Sequence, residues 1–219
     1  MGNLGRMEKP ACLFGASFRM EREKKNISFW DVVYRAAYYP ANVKRIEEGK
    51  LQPGIQLAFR LLSAVCVEPG GFMAALACEH AALLPQSLSG MSKVVVEYAI
   101  PVLQEGQKSF FGPLLAQARL AGAVSQTAMA KAANYNLRNI NGVEKGRQEP
   151  GIMTALALVM TTGVDVREFF NTLYACWREQ QASAQSTSDS HGTGYPLSPC
   201  LPAQRESAAS PRVSGRWEP

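Results

Sequence analysis

The sequence predicts an all-α protein that contains two tandem copies of a five-helix unit. Three observations support this: the chain matches itself at a shift of 97 positions, apolar residues recur at helical spacing, and Gly, Pro, Ser and Asn punctuate these segments. Hydrophobic residues make up 47% of the 219 residues and charged residues 19%, which is enough to bury a core. We therefore expect two small folded domains.

The internal repeat sets the domain boundaries. The matched residues include Gly, Pro, Glu, Arg and Tyr, so a composition biased towards Ala and Leu does not explain the match. The register holds without a gap over about sixty residues, which predicts domains at 11–78 and 108–178 with a linker at 79–107. The aligned pairs include Phe14-Gly15 with Phe111-Gly112, Arg22 with Arg119, Ser28 with Ser125, Tyr38 with Tyr135, Glu47 with Glu144, and Pro53-Gly54-Ile55 with Pro150-Gly151-Ile152.

Each copy predicts its five helices in order. In the second copy we expect helices at 111–121, 126–133 and 137–145, a fourth helix from Pro150 to about residue 162, and a fifth helix that ends at about residue 177. Gly122 ends the first, Ser125 caps the second, and Asn134 tolerates the left-handed turn that precedes the third. Asp165 caps the fifth.

The first copy follows the same plan. Helices are predicted at 14–24 and 29–36, the second of them capped by Ser28. Pro40 suits the first turn of the third helix, because its missing N–H has no partner there. Gly49 closes that helix, Pro53 starts the fourth, and Pro69 precedes the fifth.

The segments outside the copies differ in character. Residues 92–103 are too apolar for a free tether, so a strand, a helix between the domains and a dimerisation surface all remain open; Pro101 disfavours an unbroken helix. Residues 179–219 are rich in Ser, Pro, Gly, Gln and Thr and lose apolar periodicity, which predicts a disordered tail.

Cysteine usage and hydropathy limit the remaining classes. The five cysteines form no CxxC pair and only His80 and His191 accompany them, so neither a zinc site nor a disulfide framework is expected. Cys66 and Cys176 are predicted to be small core residues. There is no apolar run of membrane-spanning length and the N-terminus lacks a signal-peptide pattern, so we expect a cytoplasmic protein without a cofactor.

The second copy contains a distinctive order of residues: Arg119, Ser125-Gln126, Ala130, the Asn134 turn, Ile140, Glu144-Lys145-Gly146 and Pro150. In this order it resembles the Cro/phage-repressor (Xre-type) helix-turn-helix family. The first copy follows through Arg22, Ser28, Val43, Glu47-Glu48-Gly49 and Pro53, and departs at Phe29 and Val33, where the family favours Gln and Ala. The resemblance implies two lambda-repressor-like domains.

The resemblance also implies an ion pair within each copy. Arg22 would pair with Glu47, and Arg119 with Glu144, clamping the first helix against the third. The alternative is a pair of solvated surface charges worth under about 1 kcal/mol.

In this family the third helix enters the major groove of DNA, and its first residues reach base edges. In the second copy Arg138 would then pair with guanine and Asn141 with adenine. The first copy is the weaker reader, because Pro40 and Ala41 offer few hydrogen bonds. The candidate DNA-binding residues are Ser28, Tyr39, Lys44, Arg45, Lys50, Ser125, Gln126, Asn136, Arg138, Asn139, Asn141 and Arg147.

These features predict a sequence-specific transcriptional regulator that binds double-stranded DNA as an intrachain pseudo-dimer or a homodimer. The net charge of +5 suits a polyanionic partner. An alternative is a protein-interaction module that kept the fold and lost specific DNA binding. An enzyme is not expected, because the sequence shows no nucleophile–His–acid set and no phosphate-binding glycine loop.

Overall fold

The computed structural model describes residues 13–81, 96–101, 103 and 109–188. Within these residues the chain forms ten α-helices and no strand, which confirms the all-α class. The N-terminal residues, most of the linker, Cys12, Cys200, His191 and the predicted tail from residue 189, including Trp217, lie outside the described residues. The helices are α1 (Leu13–Lys24), α2 (Phe29–Arg35), α3 (Pro40–Glu47), α4 (Ile55–Ala64), α5 (Pro69–Ala81), α6 (Phe111–Ala121), α7 (Gln126–Ala132), α8 (Leu137–Glu144), α9 (Ile152–Met160) and α10 (Val166–Ser188).

The two sets of five helices share one plan. We call residues 13–81 the first half and residues 109–188 the second half. Shifted by 97 positions, α2 coincides with α7 and α3 with α8, and the starts of α4 and α5 coincide with those of α9 and α10. Non-helical backbone repeats as well: Ala37 and Asn134 have φ of 45° and 48°, and Gly49 and Gly146 have φ of 69° and 66°.

Local signals explain where the short helices begin and end. The Ser28 and Ser125 hydroxyls accept hydrogen bonds from the third backbone N–H of α2 and α7, at 3.0 and 3.1 Å. Helix α6 ends before Gly122, as predicted, but this glycine is not the left-handed residue of the turn. Gly122 has φ of −76°, and Ala123, at 51°, takes the left-handed position instead. A small residue is needed at 122 because a Cβ there would collide with the carbonyl oxygen of Thr162.

The halves pack against each other through a shared apolar core. The Phe59 ring in α4 contacts the rings of Tyr174 and Trp177 in α10, with centroids 5.3 and 5.8 Å away. The Ser63 hydroxyl lies 2.8 Å from the Tyr174 hydroxyl. Helices α5 and α10 run against each other and form the most extensive helix–helix contact in the described residues.

Equivalent residues meet at this junction. Gly54 forms an antiparallel bridge with Gly151, its own counterpart 97 positions on. The Ile152 N–H donates to the Pro53 carbonyl at 2.9 Å. Gly70 lies against the backbone of Arg167, again its counterpart. Contacts between equivalent positions are what an approximate two-fold axis between the halves requires.

Helix α10 runs further than the sequence predicted. It continues to Ser188, so residues 179–188, assigned to a disordered tail, are helical. Residues 178–185 contain Arg, Glu, Gln and Ala, which favour helix, and no Gly or Pro. No described helix is by itself long and apolar enough to cross a membrane; α4 with the first part of α5, bent by 112°, reaches that length and composition only as a pair.

Two further predictions are answered by the described residues. Cys176 is buried, as expected, but Cys66 is exposed in a left-handed turn with φ of 53° and is disulfide-bonded, which corrects its predicted core role. Linker residues 96–101 are neither helix nor strand. They lie along the second half, where Ala99 exchanges two hydrogen bonds with the Gln117 amide, at 3.0 and 2.9 Å.

Candidate nucleic-acid interface

A glycine in the first helix of each half lets that helix pack closely against the short third helix, α1 against α3 and α6 against α8. A Cβ on Gly15 would overlap the carbonyl oxygen of Ile46 in α3, and a Cβ on Gly112 would overlap that of Val143 in α8. Only a residue without a side chain permits this approach. The position of each short helix is therefore set by backbone packing, with Ile46 and Val143 fully buried beneath it.

An ion pair fixes the end of α8. Arg119 donates from Nε to Glu144 Oε1 at 2.6 Å and from Nη2 to Oε2 at 3.1 Å, and its Nη1 donates to the Val124 carbonyl at 3.1 Å. The two side chains are only 14% and 7% exposed. The hydrogen bond to Glu144 raises the pKa of Arg119. The pair is bidentate and largely buried, unlike a solvated surface pair.

The same clamp occurs at the end of α3. Arg22 donates to the two oxygens of Glu47 at 2.7 and 3.2 Å and to the Ile27 carbonyl at 3.1 Å. These side chains are 11% and 8% exposed. Arg22 Nη2 also lies 3.5 Å from Glu23 Oε1, an interaction that Arg119 does not make among the described residues.

Several candidate DNA-binding side chains have structural partners. Gln126 is half-buried and donates from Nε2 to Glu144 Oε2 at 2.7 Å. The Ser28 hydroxyl lies 2.7 Å from Asp31 Oδ2, and this contact lowers the pKa of Asp31. Asn136 caps α8 by accepting from the Arg138 N–H at 2.8 Å. These groups fix the helix starts, and backbone N–H groups at a helix start are suited to bind phosphate.

The outward face of α8 is polar, with one unpaired cation on the helix and another just beyond its end. Arg138, Asn141 and Arg147 are exposed, and within the described part of the chain their side chains make no hydrogen bond or ion pair. Asn139 is half-buried. A concave surface of about 540 Å³ lies over this face, and its lining contains no carboxylate. It is lined by Gln126, Leu137, Arg138, Asn139, Asn141, Gly142, Arg147 and Gln148.

The outward face of α3 is arranged differently. Lys44 and Arg45 are exposed and, among the described residues, have no ion-pair partner. Lys50 lies 2.7 Å from Glu48 Oε2 and lowers the pKa of that carboxylate, so its charge is partly compensated. Tyr39 is 75% exposed at the start of the helix. The unpaired cations of α3 therefore lie in its last turn.

Helix α2 adds exposed aromatic residues that the sequence reasoning did not single out. Trp30 and Tyr34 are 58% and 79% exposed, while Val32 and Val33 between them are buried. The signal was available, because residues four apart share a helix face and the core residues lie on the other face. The second half has Thr127 and Lys131 at these positions.

Neither family models, nor curated protein sequences, nor solved structures gave a match to this chain when compared with it. No group of three His, Cys, Asp or Glu residues in the described segments is arranged to hold a metal ion. Family membership and function are therefore proposals that depend on the geometry given above.

Proposed function

We propose that the chain is a sequence-specific DNA-binding regulator of transcription, with one helix-turn-helix unit of the Xre type in each half. The observation that carries this proposal is the pair of equivalent short helices, α3 and α8. Each is clamped by a largely buried Arg–Glu pair and carries exposed cations with no ion-pair partner in the described chain: Lys44 and Arg45 on α3, and Arg138 on α8. A rigid helix with a basic outer face matches the width and charge of a major groove.

The elements around α3 and α8 support the family resemblance. A serine-capped helix, a left-handed residue and then the short helix occur in this order in both halves. The Arg–Glu clamp joins the first helix of each half to the end of the third. These are the features that the sequence resemblance implied, and they recur at one offset.

The approximate two-fold relation supports an intrachain pseudo-dimer. Gly54 meets Gly151 and α5 packs along α10, so the halves are related as two subunits of a symmetric dimer are. Dimeric members of the resembled family read half-sites about one helical turn, or 34 Å, apart, and we propose this spacing for the two halves. We propose that one chain binds one duplex site, with a stoichiometry of one to one.

Selection from a randomised duplex library, followed by gel-shift titration, tests the proposal. We expect a selected site bound with a Kd of about 10⁻⁸ M or tighter, and a steep loss of affinity with salt. Arg138→Ala should relax specificity at one base pair, whereas Arg147→Ala should weaken all duplexes alike. Arg178→Ala in α10, an exposed cation outside both reading helices, is the matched control and should bind like the wild type. Failure to enrich any sequence would contradict the proposal.

A second candidate function is protein interaction without DNA binding. Trp30 and Tyr34, four residues apart on α2, and Tyr39 favour it, because large exposed aromatic side chains often mark a contact surface. The same titration separates the two functions. If the wild type binds no duplex and the Arg138→Ala and Arg147→Ala variants behave like it, the interaction function replaces the regulatory one.

A further inference from the structure

The starts of α3 and α8 present different chemistry to a nucleic acid. The first residues of a helix that lies in the major groove are the ones that reach base edges. Helix α8 offers Asn136 and the unpaired guanidinium of Arg138 there. Helix α3 offers Tyr39, Pro40 and Ala41 instead. Tyr39 makes no capping hydrogen bond, and its ring is 75% exposed.

Pro40 and Ala41 cannot form side-chain hydrogen bonds with a base. An apolar side chain pressed against a base donor or acceptor leaves that group unpaired, which is unfavourable. In the major groove only thymine presents an apolar group, its C5 methyl. Extending the proposed function, we propose that α3 selects its half-site by contact with thymine methyl groups through Tyr39, Pro40 and Ala41, while α8 selects purine edges.

Charge complementarity identifies duplex DNA as the occupant of this apolar surface. Lys44 and Arg45 follow Ala41 within the same helix, are exposed, and make no ion pair or hydrogen bond in the described part of the chain. Their counterparts in α8 are Asn141 and Gly142, which carry no charge. Helix α3 thus combines apolar atoms at its start with two exposed cations one turn later, which suits thymine methyls flanked by phosphates.

The test uses the selected duplex with thymine replaced by deoxyuridine, one half-site at a time. This change removes only the methyl group. The half-site that α3 contacts should lose about fourfold in affinity for each buried methyl, and the half-site that α8 contacts should keep its affinity. Replacing thymine–adenine by 5-methylcytosine–guanine retains the methyl group and should recover part of the loss.

Variants assign the methyl contact to α3. Tyr39→Ser and Ala41→Ser should reduce the uracil penalty, whereas Arg138→Ala should leave it unchanged and instead relax the choice of purine in the other half-site. Tyr39 and Ala41 are exposed, so these variants should fold, and circular dichroism checks this.

The outcomes separate this inference from the proposed function. Tight binding to a selected duplex with no uracil penalty in either half-site overturns the inference and leaves the regulatory function in place. A penalty that persists in both α3 variants also overturns the inference. Binding to no duplex at all overturns the proposed function itself.

Discussion

Glu144→Gln removes one charge from the clamp beneath α8 while keeping the shape of the side chain. The Glu144 carboxylate is 7% exposed and accepts from Arg119 at 2.6 and 3.1 Å and from Gln126 at 2.7 Å. The neutral amide leaves the guanidinium of Arg119, itself 14% exposed, without a counter-charge. Removing one partner of such a buried pair costs about 3–5 kcal/mol in free energy of unfolding.

The first half provides a matched comparison. Glu47 is equally buried, but Arg22 has Glu23 Oε1 at 3.5 Å as a second carboxylate, and the position of Gln126 is occupied by Phe29. Glu47→Gln therefore strands fewer hydrogen-bonding groups and leaves Arg22 with some compensation. We expect its loss to be smaller than that of Glu144→Gln by about 1 kcal/mol, the size of an exposed ion pair.

Urea unfolding of the full chain, with the free energy extrapolated to water, measures both losses. A double-mutant cycle with Arg119→Met isolates the pair, because the double variant strands no charge and should lose less than Glu144→Gln alone. A loss below about 1 kcal/mol for Glu144→Gln, or the absence of coupling between Arg119 and Glu144, would show that the pair behaves as a solvated one and refute the clamp.

Three further predictions test the framework and the junction between the halves. In thermal melts, Gly112→Ala should destabilise the protein by about 1–3 kcal/mol, because its Cβ would strike the Val143 backbone. Gly54→Ala is the control: its Cβ meets nothing within 4 Å, so this variant should change stability far less. Ala37→Gly should raise the free energy of unfolding in urea by up to about 1 kcal/mol. The left-handed φ of 45° strains the alanine, and relief of this strain should exceed the extra chain entropy that glycine loses on folding. A lower free energy of unfolding would contradict this. Burial raises the pKa of Glu149 above its unfolded value, so stability that is present at low pH is lost as the pH rises through the folded pKa. Glu149→Gln should therefore raise the Tm at neutral pH, with a gain that shrinks towards about pH 4, and a gain independent of pH would count against this assignment.

Local signals made much of the helical framework predictable. The bounds of α6 match the predicted 111–121, and α2, α7 and α8 end within one residue of the predicted positions. Serine caps and the left-handed Asn134 depend on residue chemistry within a few positions, so the sequence contains them directly. The Arg–Glu pairing was implied by the family resemblance, and its occurrence in both copies at one offset favoured a structural role.

The contact between the halves could not be predicted in the same way. Apolar residues in α4 and α10 indicate burial, but their spacing does not say that Phe59 would pack on Tyr174 across the halves. The role of Gly122 was missed for the same reason, since its close neighbour, Thr162, is forty positions away. The exposed Trp30 and Tyr34 were missed for a different reason: their four-residue spacing places them on one helix face, but large aromatic residues are usually assigned to the core.

A single chain permits an asymmetry that a symmetric homodimer cannot have. The positions that hold the short helices are the same in both halves, as with Arg22 and Arg119 or Gly15 and Gly112. The positions that face outward differ, as with Ala41 and Arg138. On the proposed function, the covalent link holds two unlike reading helices at high effective concentration, so the preferred duplex should combine two different half-sites and bind more tightly than a palindrome of either one.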